Sequence, residues 1–123
     1  MSLYYRRLLL AVVLVVHLVV LYSPSLPTPG PSGVPGADKV GHAVVFGLLV
    51  LAALWAGFSA RWVVPLALAH AVLSEVGQHL LLTGRSGDPW DAVADVVGVC
   101  LGWTAARVLS RRSAWQPPSD PDR

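Results

Sequence analysis

Residues 8–22 read Leu-Leu-Leu-Ala-Val-Val-Leu-Val-Val-His-Leu-Val-Val-Leu-Tyr, an uncharged run in which His17 is the one strongly polar side chain. A helix needs about 20 apolar residues to cross the hydrocarbon core of a bilayer. Leu3, Tyr4 and Tyr5 extend this run past Arg6 and Arg7 toward that length. Three more apolar segments follow, at 40–58, 62–82 and 90–109. The last is the weakest of the four, because Asp91 and Asp95 fall in its first turns. Alternation with period two is sustained nowhere, which argues against a β-barrel. The sequence therefore predicts an all-α integral membrane bundle of four transmembrane helices.

Composition agrees. Of 123 residues, 54% are hydrophobic and 13% charged, about half the charged share of a soluble domain. Mean hydropathy is +0.60. Such a chain lacks the polar surface that a free cytosolic enzyme, a nucleic-acid-binding module or a disordered tail would need. Cys100 is the single cysteine, so an internal disulfide and a cysteine-based zinc cluster are excluded.

The first span has the Arg-then-apolar order of a signal peptide, but no small-x-small cleavage site follows it, and a retained helix is the preferred reading. The organisation expected is an N-terminal transmembrane helix over 1–22, a Pro/Gly-rich external loop over 23–37, a three-helix core over 38–110 and a disordered cytoplasmic tail over 111–123. Gly57, Phe58, Ser59 and Ala60 make a tight hairpin with Ser59 as the cap of the next helix. A second long loop occupies 83–90. Lys and Arg in short flanks set orientation. Arg6, Arg7, Arg61, Arg107, Arg111 and Arg112 collect on one side, against Lys39 and Arg85 on the other. Both termini are accordingly expected in the cytoplasm, with both long loops outside. Trp62, Trp90, Tyr4, Tyr5 and Tyr22 fall near the interfaces, where amphipathic rings settle.

Intramembrane charge is expensive and tends to mark function, and in this chain it gathers at the outer end. Asp38 and His42 are about 40° apart on one helix face, with Lys39 beside them. The third span carries Ser74, Glu75, Gln78 and His79; the fourth opens with Asp91 and Asp95 and continues with Gly98-x-x-x-Gly102, a close-packing signature. Arg85 and Asp88 lie in the loop above. Grouping these side chains into one outward-opening pocket avoids scattering them in lipid. Structural readings stand beside this one. Asp38 and Asp91 suit N-capping, and Glu75 suits pairing with Lys39, Arg85 or His42. Gln78 suits an interhelical bridge. His17 and His70 read as packing residues.

The ordered motifs Asp38-Lys39-x-x-His42-x-x-x-Phe46, Glu75-x-x-Gln78, Arg85 and Asp91-x-x-x-Asp95-x-x-Gly98 resemble the VanZ-like family over about residues 38 to 102. The resemblance implies a small multi-spanning membrane protein, in a family whose namesake is linked to teicoplanin resistance. One position departs: Asp95 stands where the family pattern usually has Asn.

Three functions compete on these residues. The first is binding of an amphiphilic glycopeptide or lipid-linked envelope precursor, with Asp38, Lys39, Gln78, Arg85 and Asp91 contacting the ligand. The second is a membrane-embedded hydrolase or transferase using Glu75, His42 and Asp95 as catalytic groups. The third, a proton-coupled transporter subunit, is weakened because the polar groups stop halfway across the bilayer. His42, Glu75 and Asp95 also form a donor set that several divalent ions accept. No tight ligand motif such as His-Glu-x-x-His is present, so no metal and no cofactor is expected. The expected partners are the lipid bilayer and such an amphiphile, with no nucleic acid; an oligomer is compatible with the sequence.

Overall fold

The computed structural model of the protein describes residues 1–23, 36–81 and 88–114. Four helices follow in order: α1 (Leu3–Tyr22), α2 (Ala37–Trp55), α3 (Ala60–Leu81) and α4 (Pro89–Ala114). The described residues contain no strand. Helix α4 continues through residue 114, into the start of the tail expected to be disordered. The rest of that tail, the proline-rich part of the first loop and positions 82–87 of the second lie outside the described residues.

The turn between α2 and α3 follows from one glycine. Gly57 has φ +92°, a conformation that a Cβ disfavours. Its N–H donates to the Leu54 carbonyl and that of Phe58 to the Ala53 carbonyl. This pair of bonds closes the helix end in the Schellman pattern. Ser59 then precedes α3, its carbonyl accepting from the N–H groups of Trp62 and Val63.

Helix α2 packs most extensively on α4, and small residues permit it. A Cβ on Gly98 would collide with the Ala43 carbonyl, and one on Gly102 with the Gly47 carbonyl. Helices this close bring buried side chains into reach of one another across the seam. The apolar core is Leu21, Phe46, Val50, Ala67, Ala71 and Val99. At the opposite end from Asp38, the Arg6 guanidinium lies 5.5 Å from the Trp55 ring, tying the start of α1 to the end of α2.

Three helices are long and apolar enough to cross a membrane: α1, α2 and residues 89–111 of α4. Over its most apolar stretch α4 qualifies as a span and α3 does not, although averaged over its full length α4 is the less apolar helix, as expected. Asp91 and Asp95 occupy the first two turns of α4, and its arginines come only from Arg107 onward, so the stretch between is uncharged. In α3, His70, Ser74, Glu75, Gln78 and His79 recur turn after turn. Large apolar side chains are exposed along all four helices, among them Leu8, Val12 and Val15 on α1, Val40, Val44 and Leu48 on α2, and Leu101 on α4. That is the surface of a membrane protein, whose outside faces hydrocarbon.

Candidate functional site

The start of α4 is built from four consecutive residues. Asp88 Oδ1 accepts from the Trp90 N–H at 3.0 Å, as an N-cap does. Pro89 fills the first helical position, where a missing N–H costs nothing. Asp91 then points inward from the first turn and is buried. The cap of α4 is therefore Asp88, and the capping reading of Asp91 gives way to an inward-facing carboxylate. Asp38 likewise sits inside the first turn of α2, whose cap position is Gly36 with φ 78°.

Lys39 binds the rim together. Its Nζ lies 3.2 Å from Asp38 Oδ2, 2.9 Å from Asp88 Oδ2 and 3.0 Å from Asp91 Oδ1. One cation thus clamps the first turn of α2 to the start of α4. The side chain is 35% exposed, so screening by water limits the strength of each pair. The ammonium holds the Asp88 carboxyl below its ordinary range, chiefly through their hydrogen bond and with help from the Trp90 N–H.

Beneath the rim lies a buried cluster. His42 Nδ1 is 2.9 Å from Asp95 Oδ1 and 3.9 Å from Glu75 Oε1. His42 Nε2 is 3.8 Å from Asp91 Oδ2, so Asp91 joins rim and interior. Glu75 is oriented from its other side: Oε2 accepts the backbone N–H of Asp88 at 3.1 Å. His42, Glu75 and Asp95 each place one potential ligand atom within 4.8 Å of the others. Asp95 is 0% exposed and Glu75 8%. Among the described residues, Glu75 Oε1 and Asp95 Oδ2 have no hydrogen-bond partner. Buried polar atoms are nearly always satisfied, and two orphans in one cluster mark capacity for a further donor or cation.

The sequence led to an open pocket. Among the described residues the polar groups lie beneath a half-exposed rim, and two depressions lie elsewhere on the bundle. One of about 260 Å³ is lined by Leu10, Leu49, Phe58, Leu66 and His70, and one of about 370 Å³ by Trp103, Arg107 and Arg111. Among the residues singled out from sequence, His42, Glu75, Asp91 and Asp95 converge, with Asp38 and Lys39 at the rim. Gln78 turns toward α1, its Nε2 donating to the Leu21 carbonyl at 3.2 Å, the interhelical bridge allowed for it. His79 is exposed. Arg85 lies outside the described residues. Lys39 is shared among three aspartates, so its pairing with Glu75, one of the options open in the sequence, is replaced by His42 as that acid's neighbour.

Two features escaped sequence reasoning. Asp88 was placed only in the loop, yet it caps α4, receives Lys39 and orients Glu75. The Asp-Pro step at 88–89 carried that signal, because a capping acid before proline is a helix-start signature. The other is a pair of histidines, His17 buried and His70 half-buried beside it. His17 Nδ1 lies 3.3 Å from the Val45 carbonyl, and His70 Nε2 lies 3.1 Å from His17 Nε2. A carbonyl only accepts, so His17 Nδ1 carries the proton and His70 Nε2–H donates to the free Nε2 of His17. Phe46 meets the His17 ring edge-on at 4.7 Å. No periodicity links positions 17 and 70.

Comparison with curated proteins and with solved structures finds no match for this chain. The family comparison does: the model of the VanZ/LLP1 family matches residues 10–110, a span that covers α2 and α3, most of α1 and α4, and every member of the buried cluster. With apolar helices long enough to cross a membrane and a family match over most of its length, the chain belongs to the VanZ/LLP1 family.

Proposed function

We propose that the protein is a four-span, multi-pass protein of the cell membrane, with both termini in the cytoplasm, that engages the polar head of an amphiphile at the outer face. The amphiphile class is a glycopeptide or a lipid-linked envelope precursor, and the role is in cell-envelope or antibiotic-resistance physiology. For α3 as the fourth span, the support is the direction of its side chains. Ser74, Glu75 and Gln78 are buried, whereas Leu66, Val72, Leu73, Val76 and Leu80 are exposed. Its 22 residues reach about 33 Å, enough for a bilayer core.

The observation that carries the ligand reading is the pair of unpartnered buried oxygens, on Glu75 and Asp95, beneath an acidic rim at one end of an apolar bundle. With Lys39 committed to three aspartates, the site favours sugar hydroxyls and amines over anionic groups. Asp38 contacts the head first, with Asp91 beneath it, and Arg85 is placed by the sequence in the loop above. Expression at matched membrane levels tests this: Glu75→Gln and His42→Ala should each abolish any change in glycopeptide susceptibility given by the wild type. Unchanged susceptibility in both variants would remove the cluster as a functional site.

A second reading is favoured by the bond between His42 and Asp95. A histidine oriented by one carboxylate with another acid beside it is a general acid/base arrangement, suited to hydrolysis or transfer at a lipid-linked substrate. Mass spectrometry of lipid-linked precursor incubated with the purified protein separates the two: new product mass supports the enzyme, and bound but unaltered precursor supports the binder.

A further inference from the structure

We infer that His42, Glu75 and Asp95 form a binding site for a divalent transition-metal cation, of the zinc or manganese class. The inference goes beyond the amphiphile reading and does not depend on it. Geometry is the first argument. Ligand atoms 2.0–2.2 Å from a tetrahedral ion lie about 3.4 Å from one another. The distances of 2.9 Å and 3.9 Å from His42 Nδ1 to the two carboxylates fall on either side of that spacing. Small rotations of two side chains would equalise them.

The second argument is satisfaction. Each acid brings an oxygen that no described residue contacts by hydrogen bond, although both side chains are more than nine-tenths buried. A cation beside His42 Nδ1 meets Glu75 Oε1 directly, and reaches Asp95 Oδ2 once the carboxylate turns or binds through both oxygens, removing the cost of leaving them bare. Charge is the third. Asp38, Asp88 and Asp91 share Lys39, whereas among the described residues Glu75 and Asp95 have His42 alone as a cationic neighbour. Two carboxylates and a neutral imidazole match a divalent ion, and a single protonated histidine leaves one buried negative charge.

The surrounding shell is also in place. Histidine ligands commonly direct the other ring nitrogen at a carboxylate. His42 Nε2 faces Asp91 Oδ2 at 3.8 Å, and Glu75 Oε2 is already fixed by the Asp88 N–H. In the loaded form the His42 proton sits on Nε2, toward Asp91, and the Nδ1 lone pair faces the ion. One imidazole with two carboxylates, and no sulfur, selects zinc- or manganese-like ions over magnesium or calcium. An amphiphile head would then meet the ion in place of the two free oxygens.

Purified full-length protein in lipid nanodiscs, carrying a tag without histidines, tests the site. After stripping with EDTA it is titrated in separate runs with Zn²⁺, Mn²⁺ and Mg²⁺. The expected result is one saturable Zn²⁺ per chain, with Mn²⁺ weaker and Mg²⁺ weakest. Glu75→Gln and Asp95→Asn, which keep side-chain shape, should each weaken Zn²⁺ by about 10-fold or more, while the rim variant Asp38→Asn stays within a few-fold. The zinc K-edge spectrum of the wild type should show one imidazole among oxygen neighbours. Absence of saturable Zn²⁺ binding by the wild type would overturn the assignment. So would binding unchanged in the Glu75→Gln, Asp95→Asn double variant.

Discussion

The bundle buries two histidine sites, and they are opposites. His17 and His70 close on each other and on the Val45 carbonyl, with Phe46 against the first ring. His42 lies among three carboxylates, two of which keep an unpartnered oxygen. In the first site polar groups are matched to one another, as in a pair that fastens α1 to α2 and α3. In the second they exceed what the chain supplies, which a fold tolerates where another species completes the set. Burial alone does not distinguish the two. The difference lies in what is left over.

The largest effect that separates the two sites should come from the glycine seam, because it serves only the His42 side. Gly98→Val drives a branched Cβ into the Ala43 backbone. It should cost about 3 kcal/mol or more, read as a drop in thermal stability in detergent together with loss of the His42–Asp95 contact. Gly77 is a control, since a Cβ there would meet Tyr22 at an ordinary 3.6 Å; Gly77→Ala should leave the melting temperature close to that of the wild type.

His70→Leu comes next. It strands the His17 ring nitrogen and should cost about 1–3 kcal/mol. Ligand binding per folded molecule should not change, and a loss of binding at equal folded fraction would put the two histidine sites in one functional unit.

How far these sites could be read from sequence depends on what pattern carries. Apolar runs fixed the number and approximate position of the helices, because lipid demands length and hydropathy together. Face periodicity likewise put His42 with Asp38, and Glu75 near Gln78. It could not pair His17 with His70, since a helical period specifies a direction and not the neighbour it meets. The part Asp88 plays at the outer end was hidden for a related reason. Asp88 acts through its backbone N–H as much as its carboxylate, and backbone donors leave no mark in composition. Helix α4 is the less apolar of the two over its whole length, but where its charges sit along the axis leaves it a stretch apolar enough to span, which α3 lacks.

The smallest effect belongs to the rim. Lys39 lowers the folded-state pKa of Asp88, so the stabilisation is complete above the ordinary carboxylate pKa, about 4. It is lost as pH falls through the lower folded value. Lys39→Met should therefore flatten the acid limb of the stability profile, measured by melting temperature from pH 6 to about pH 2 across that pKa. The change in stability at neutral pH should be small, because the group is half-exposed. A phosphatase fused after Arg112 should be inactive outside the cell; activity there would reverse the orientation of both sites.

The central claim is that the unsatisfied histidine site works and the satisfied one holds the bundle together. Its most direct test is binding of a fluorescent lipid-linked precursor to nanodisc-embedded protein, comparing wild type, Glu75→Gln and His70→Leu at equal folded fraction. The account predicts at least about a tenfold loss for Glu75→Gln, the equivalent of about 1.4 kcal/mol, and wild-type affinity for His70→Leu. Wild-type affinity in Glu75→Gln, or a comparable loss in His70→Leu, would contradict it.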